Sequence, residues 1–269
     1  MLPPALVPPA FDAGSVWLVG AGPGDPGLLT LHALHALTWA EIILHDALVP
    51  EEILSLAPQA RLEAAGKRAG GQRTPQLRIN QRLIALARQG RRVARLKGGD
   101  PLIFGRGGEE ALALAAAGIP FRIVPGISAG IGGTTASGIP LTHRGVARSV
   151  TFATGHDIAD LARVPLSDVL VLYMAGRNLG TIAARLMRAG RDPADAVALI
   201  QDATRPEQTV RITTLADAVG ADAVDQPASR APVLIVIGPV VALRDHLSAW
   251  QQTAPMTIVN DRQQARIAG

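Results

Sequence analysis

GAGPGDPG, residues 20–27, closes a short apolar run at 16–19, and KGGDPLIFGRGGEE, residues 97–110, closes another at 92–96. Each apolar run reads as a strand and each glycine-rich stretch as the loop at its carboxyl end. Open α/β sheets bind their ligands at that place, so the two loops are read as neighbouring, backbone-lined ligand surfaces and the chain as an enzyme.

Outward from these loops, strand and helix signals alternate along the chain. Strands are expected at 16–19, 42–44, 61–65, 92–96 and 121–124, the second ending at His45 and Asp46. Thr30 is placed to cap a helix carrying Leu31, Leu34 and Leu37 on one face. Pro50 suits the first turn of another helix, and Thr74-Pro75 opens a third that Gly90 stops. Around 138–149 the texture loses any strong period, and a second α/β half follows with strands at 150–153, 169–173, 197–200, 210–213 and 233–237. Asn178 stands at the start of a helix that Gly190 ends. The expected division is a flexible tail at 1–13, an N-terminal α/β domain at 14–143, a C-terminal α/β domain at 144–250 and a tail at 251–269. The halves are too unlike to make an internal repeat.

Composition narrows the function. Hydrophobic residues make up 48% of 269, yet no apolar run approaches the roughly 18 residues that a membrane span needs. With Cys 0, disulfides, thiolate metal sites and cysteine nucleophiles are excluded. The opening MLPPALVPPAFDAG has no basic segment and several prolines, so it reads as a tail rather than a signal peptide, and a soluble, cytoplasmic protein is expected. The net charge of +4 and pI near 10.5 invite a nucleic-acid reading. Against it, the cations are scattered and aromatic residues are only 3%, too few for base-stacking platforms; an anionic small molecule fits better. Of the 26 cations only Lys67 and Lys97 are lysines, leaving 24 arginines, and both lysines sit beside glycines at expected strand ends. Chance explains this, or those loops need a compact ammonium whose proton affinity responds to burial.

Three familiar motifs fail on inspection. Gly20, Gly22 and Asp46 suggest a dinucleotide fingerprint, but its third glycine would fall at Asp25, and Pro23 and Pro26 remove amide donors where a pyrophosphate would bind. GISAG at 126–130 has the form of a hydrolase nucleophile elbow around Ser128, with Asp157 or Asp202 and His246 as partners. An elbow runs at once into a helix, however, and Gly130, Gly132 and Gly133 are poor helix formers. His32 and His35 are three apart on an expected helix without a third ligand, so no metal site is expected. His143 and His156 fall in loops.

Taken in order, GAGPGDPGLLTL, the Asp46-Ala47-Leu48-Val49 stretch, Gly66-Lys67-Arg68-Ala69-Gly70, RLKGGDPLIFGRGGEE, VPGISAG, GIPLTHR, VLYM and TRPEQ resemble the uroporphyrinogen-III C-methyltransferases among the tetrapyrrole methylases. The resemblance runs from about Gly14 to Leu247. It implies a homodimer of subunits with two α/β domains and a cleft between them that holds the active site. It further implies S-adenosyl-L-methionine as methyl donor, no metal, and methylation of uroporphyrinogen III at C2 and C7, giving precorrin-2 by way of precorrin-1 for sirohaem, cobalamin or haem d1. By the same resemblance Pro23, Gly98, Gly99, Asp100, Ile103, Ser128, Ala129, Met174 and Ala203 bind the cofactor, although Met174 at a strand end also suits an ordinary core thioether. Asp46 matches a proton acceptor and Lys67 a proton donor; a loop carboxylate paired with an arginine remains the alternative for Asp46. Arg106, with Glu109 three residues on to orient it, and Arg144 would grip substrate carboxylates. Arg95 suits either that task or a structural ion pair. Ala47 where an arginine is common, His45 where an aromatic is common, GGTTASG in place of a more alanine-rich segment and Ala203 in place of glycine depart from the pattern. A sister methylase acting on another precorrin or on RNA, or a nonenzymatic tetrapyrrole binder, are the alternatives.

Overall fold

A computed structural model describes residues 7–65, 75–156, 167–219 and 233–247, which group into two compact units dividing between Ser128 and Ala129. The first unit is built on β1 (Val16–Gly20), β2 (Ile42–His45), β3 (Arg61–Ala64), β4 (Val93–Lys97) and β5 (Phe121–Val124). These strands are all parallel, in the order β3-β2-β4-β1-β5. Period-2 alternation sends Trp17 and Val19 to one face and Val16 and Leu18 to the other, and both faces are covered. On the first lie α1 (Leu31–Trp39) and α2 (Glu51–Leu54); on the second, α3 (Gln76–Arg88) and α4 (Gly107–Ala116).

Thr30 caps α1 as expected, its hydroxyl accepting from Ala33 N at 3.1 Å. The buried face of that helix is Ala33, Ala36 and Leu37, however, and Leu31 is exposed. Two alanines let the helix lie close to the sheet, so the leucine period misplaces the face. The expected tail also needs correction from residue 7 onward. Phe11 is buried and stacks on Trp17 with ring centroids 4.6 Å apart. Covering a large ring of this kind stabilises by roughly 1.5–3 kcal/mol, enough to hold the arm down. Residues 1–6 and the expected tail at 251–269 lie outside the described residues.

The second unit carries β6 (Val150–Thr154), β7 (Val169–Tyr173), β8 (Ala196–Gln201), β9 (Thr209–Thr214) and β10 (Val233–Ile237) in the order β6-β7-β10-β8-β9. Only β6 and β7 are parallel; β10 runs antiparallel to β7 and β8, and β8 to β9. The alternation of buried faces is as clear as in the first sheet: Leu170, Leu172, Leu199 and Ile235 pack with α6 (Leu179–Arg188) and α7 (Leu215–Val219), while Val171, Ile200 and Val236 pack with Ile139, Val240 and Val241.

The boundary expected at 143–144 falls at 128–129 because of α5 (Ala129–Ala136), a helix that the glycines argued against. It packs on β7 and β10. Added Cβ atoms at Gly130 and Gly133 would stand 2.3 Å from the Tyr173 hydroxyl and 2.8 Å from Ala203 Cβ. Close approach to the second sheet, not helix propensity, selects glycine there, and tertiary packing overrides the local preference.

Candidate active site

In the first sheet the chain leaves β1 for β2, crossing β4, and leaves β4 for β5, crossing β1. The two connections run in opposite directions over opposite faces of the sheet, α1 on one and α4 on the other, which makes the carboxyl ends of the adjacent β1 and β4 a topological switch point. Both glycine-rich loops start there. Gly22 and Gly99 form a two-way backbone bridge, Gly22 N to Gly99 O at 3.2 Å and Gly99 N to Gly22 O at 2.7 Å. The loop after β5 joins them. A Cβ at Gly126 would lie 2.2 Å from Gly99 O and 2.8 Å from Gly20 Cα, so three main chains meet where no side chain fits.

Asp100 secures this junction. One carboxylate oxygen accepts from Leu102 N at 2.8 Å and the other from Gly126 N at 3.1 Å. The structure thus brings Gly98, Gly99 and Asp100 together with the 20–24 loop that carries Pro23. Asp25 accepts from Gly27 N at 2.7 Å in the turn that follows. Ile103 is exposed beyond the junction, and Ser128 is buried where β5's loop enters α5. The loop after β4 also holds Phe104 at φ 51° and Arg106 at φ 61°, left-handed conformations that non-glycine residues seldom adopt and that concentrate at functional sites.

Beneath the same strand ends lies a cluster of four charges. Val93, Arg95 and Lys97 share one face of β4, under α3 and α4, and the two cations are almost wholly buried. Arg95 pairs with Asp46, the residue following β2, and its Nε donates to Glu110 Oε1 at 3.0 Å. Its Nη1 also donates to the Leu44 and Leu96 carbonyls, each at 3.3 Å. Lys97 Nζ lies 3.2 Å from Glu110 Oε1 and 3.6 Å from Asp46 Oδ2. Gln76 donates to the same Glu110 oxygen at 3.0 Å, while Glu110 Oε2, fully buried, has no hydrogen-bond partner among the described residues. Two anions balance two cations, which keeps the interior neutral. Burial, reinforced by Arg95, pushes the Lys97 ammonium below the usual lysine range.

Asp46 is the one member that meets solvent, its side chain 31% exposed. It is the carboxylate singled out from the sequence, and the structure shows it in the arginine pairing given there as its alternative reading. Arg95 is a structural ion pair rather than a carboxylate-binding surface residue. Lys67 lies outside the described residues.

Arg106 and Glu109 form the expected three-apart pair, bidentate at 2.8 and 2.7 Å and exposed. The Arg106 guanidinium holds the Glu109 carboxyl below the usual carboxylate range. In the second unit, Arg144 is exposed in a hairpin closed by the His143–Ala147 bridge. Ala129 opens α5, Ala203 abuts Gly133, and Met174 directly follows β7. Met174 is 54% exposed at φ 55°, which excludes the core-thioether alternative. Asp202 and Thr204 are left-handed as well. Thr204 N donates to Gln208 Oε1 at 2.6 Å, and Gln208 Nε2 reaches Ala136 O at 3.4 Å, tying the loop after β8 to α5.

Sequence reasoning missed Glu110 and gave Lys97 no partner. The available signal was two cations two apart in an otherwise apolar strand, which share a face and require buried counter-charges. Among the described residues no group of three His, Asp or Glu side chains is placed to hold a metal ion. Nor is any helix among them long and apolar enough to cross a membrane.

The described chain thus comprises a parallel-sheet unit with a glycine-lined switch point and a second unit with a mixed sheet. The chain belongs to the Tetrapyrrole (Corrin/Porphyrin) Methylases, whose family pattern it matches over residues 15–219. It is 54% identical over 248 residues to a uroporphyrinogen-III C-methyltransferase of a Sinorhizobium species, covering 88% of this chain and 87% of that one. It is 48% identical to a sirohaem synthase of Pseudomonas putida over 90% of its own length, but spans only 53% of that protein. Among solved structures, the uroporphyrin-III C-methyltransferase of Thermus thermophilus superposes with a TM-score of 0.75 at 46% identity, over 87% of this chain and 96% of that one. A uroporphyrin-III C-methyltransferase from Thermus thermophilus complexed with S-adenosylhomocysteine gives a TM-score of 0.73 at 38% identity, over 85% of this chain and 99% of that one.

Proposed function

We infer that this chain is a uroporphyrinogen-III C-methyltransferase that uses S-adenosyl-L-methionine. The observation that carries this reading is the 54% identity to such an enzyme along nearly the whole chain. The backbone-only junction at the switch point supports it, since a sulfonium cofactor with no phosphate needs close main-chain approach rather than anion-binding amides. The methyl groups go to C2 and C7, giving precorrin-1 and then precorrin-2 for sirohaem, cobalamin or haem d1. The working form is a cytoplasmic homodimer.

An electron pair from a pyrrole carbon forms the new bond to the methyl group. The sulfur–methyl bond breaks onto sulfur, leaving neutral S-adenosylhomocysteine, and the positive charge passes to the ring. The ring then loses a proton, for which Asp46 is the acceptor and Lys67 the matching donor group. No metal or covalent nucleophile is required. Holding carbon, methyl and sulfur in line supplies up to about 7–11 kcal/mol of the barrier reduction. Pro23, Gly98, Gly99, Asp100, Ile103, Ser128, Ala129, Met174 and Ala203 are the cofactor residues, and Arg106, oriented by Glu109, and Arg144 take the substrate's acidic side chains.

Anaerobic incubation with uroporphyrinogen III and methyl-labelled S-adenosylmethionine tests the assignment: two labelled methyl groups appear on the product. Binding of cofactor without label transfer would mark a sister methylase, and binding of the ring without cofactor turnover a carrier. Arg144→Ala raises KM for uroporphyrinogen III by about 10- to 100-fold, the loss of one charge-assisted contact of about 1.5–3 kcal/mol. It also flattens the salt dependence of KM. An unchanged KM with the parent's salt dependence removes Arg144 from the substrate site.

A further inference from the structure

We propose that Lys97 is a positioning residue for Asp46, anchored on buried Glu110, and that it sets the pH at which the proton-accepting step of the methyl transfer becomes effective. The proposal rests on Asp46 being the proton acceptor.

The geometry separates the tasks of the two cations. Arg95 is locked, with donors committed to Glu110, to the Leu44 and Leu96 carbonyls and to Asp46, so it ties β2 to β4. Among the described residues Lys97 makes no such backbone link. Its ammonium stands between Glu110 Oε1 at 3.2 Å and Asp46 Oδ2 at 3.6 Å, at the end of a flexible stem in an otherwise closed interior. Lys97 stands beside this guanidinium on the same face of β4, in a chain that supplies 24 of its 26 cations as arginine.

The charged and titratable groups around the pair are, among the described residues, His45 beside Asp46, Arg95 on β4, and Glu109 and Glu110 on α4, with Arg106 facing the last two. Of these, only Arg95 and Lys97 form ion pairs with Asp46. Lys97 reaches Asp46 at ion-pair distance from the interior side of the cluster, and burial makes its own proton easier to lose.

Lys97→Met and Lys97→Arg are compared with the parent by two readouts. Carbon-13 NMR follows the Asp46 carboxyl resonance, assigned by its loss in Asp46→Asn, and kcat is measured against pH. In Lys97→Met the resonance midpoint and the acid limb of kcat both move to higher pH, by about one to three pH units, the effect of removing a cation at this range. Lys97→Arg, which keeps the charge, leaves both within about half a unit of the parent. KM for S-adenosylmethionine is unchanged in each. If Lys97→Met fails to fold, Lys97→Gln, which keeps a hydrogen-bond donor toward Glu110 Oε1 without the charge, is read in its place, and the same upward move is expected. A change of less than about half a unit in both readouts overturns the proposal. Movement of the resonance while the acid limb of kcat stays in place shows instead that Asp46 is not the acceptor, and the proposal falls with that reading.

Discussion

Asp46→Asn lowers kcat by about 100- to 10,000-fold, the range that a positioned proton acceptor supplies, while affinity for S-adenosylhomocysteine stays within about twofold. The split follows from placement. Asp46 follows β2, whereas the glycine junction is made by the loops after β1, β4 and β5, so the substitution leaves that junction untouched. A structural cost accompanies the catalytic one. The charge cluster holds Asp46, Glu110, Arg95 and Lys97, and an asparagine leaves two cations against one anion. Because Asp46 is partly exposed, water compensates much of this, and the loss stays below the roughly 3–5 kcal/mol typical when a fully buried pair is broken. A melting curve and a titration with S-adenosylhomocysteine, run on the preparation used for kinetics, separate the two effects. Turnover within about threefold of the parent, in protein that binds cofactor normally, removes Asp46 from the chemistry.

The strands were legible because each depends on a local signal. The apolar runs at 16–19, 169–173 and 233–237 are strands in the structure, packed on both faces, with only Tyr173 and Val233 half-buried. Strand direction carries no such local mark. The second sheet reads from sequence like the first, yet runs largely antiparallel, because β10 inserts between β7 and β8 and nothing in its apolar run records that neighbour. Helix α5 failed for a related reason: its glycines serve contacts with Tyr173 and Ala203, which are remote in sequence.

The site divides along the same line. Residues whose role depends on backbone geometry, such as Gly99 and Asp100, could be picked out because a loop at a strand end announces itself in glycine and proline. The charge cluster could not be assembled in that way. Arg95 and Lys97 were visible as cations, but their meaning depends on Glu110 lying under β4 from a helix more than ten residues on, and on Asp46 arriving from a different strand. Charge partners across a sheet follow from topology, which the sequence pattern left undetermined.

Gly126→Ala tests the other half of the site, the backbone junction, and is expected to damage stability and cofactor binding together. The added methyl would sit 2.2 Å from Gly99 O and within 2.9 Å of Gly20 Cα and C, all main-chain atoms in loops joined by hydrogen bonds. No flexible side chain can yield, so one loop must move. Overpacking of this sort costs about 2–3 kcal/mol, and Tm falls by roughly 5–10 °C. The displacement reaches Gly126 N, whose bond to Asp100 Oδ2 fixes the loop after β4, and a shift of about 1 Å at reacting groups weakens catalysis by around 100-fold. Gly108→Ala is the matched control: the position is exposed within α4, has no positive φ and leaves open space around a Cβ. There alanine gains up to about 1 kcal/mol of helix stability and S-adenosylhomocysteine affinity is unchanged. Equal behaviour of the two variants in calorimetric binding and melting would mean that the meeting of three main chains at Gly99 does not shape the cofactor site.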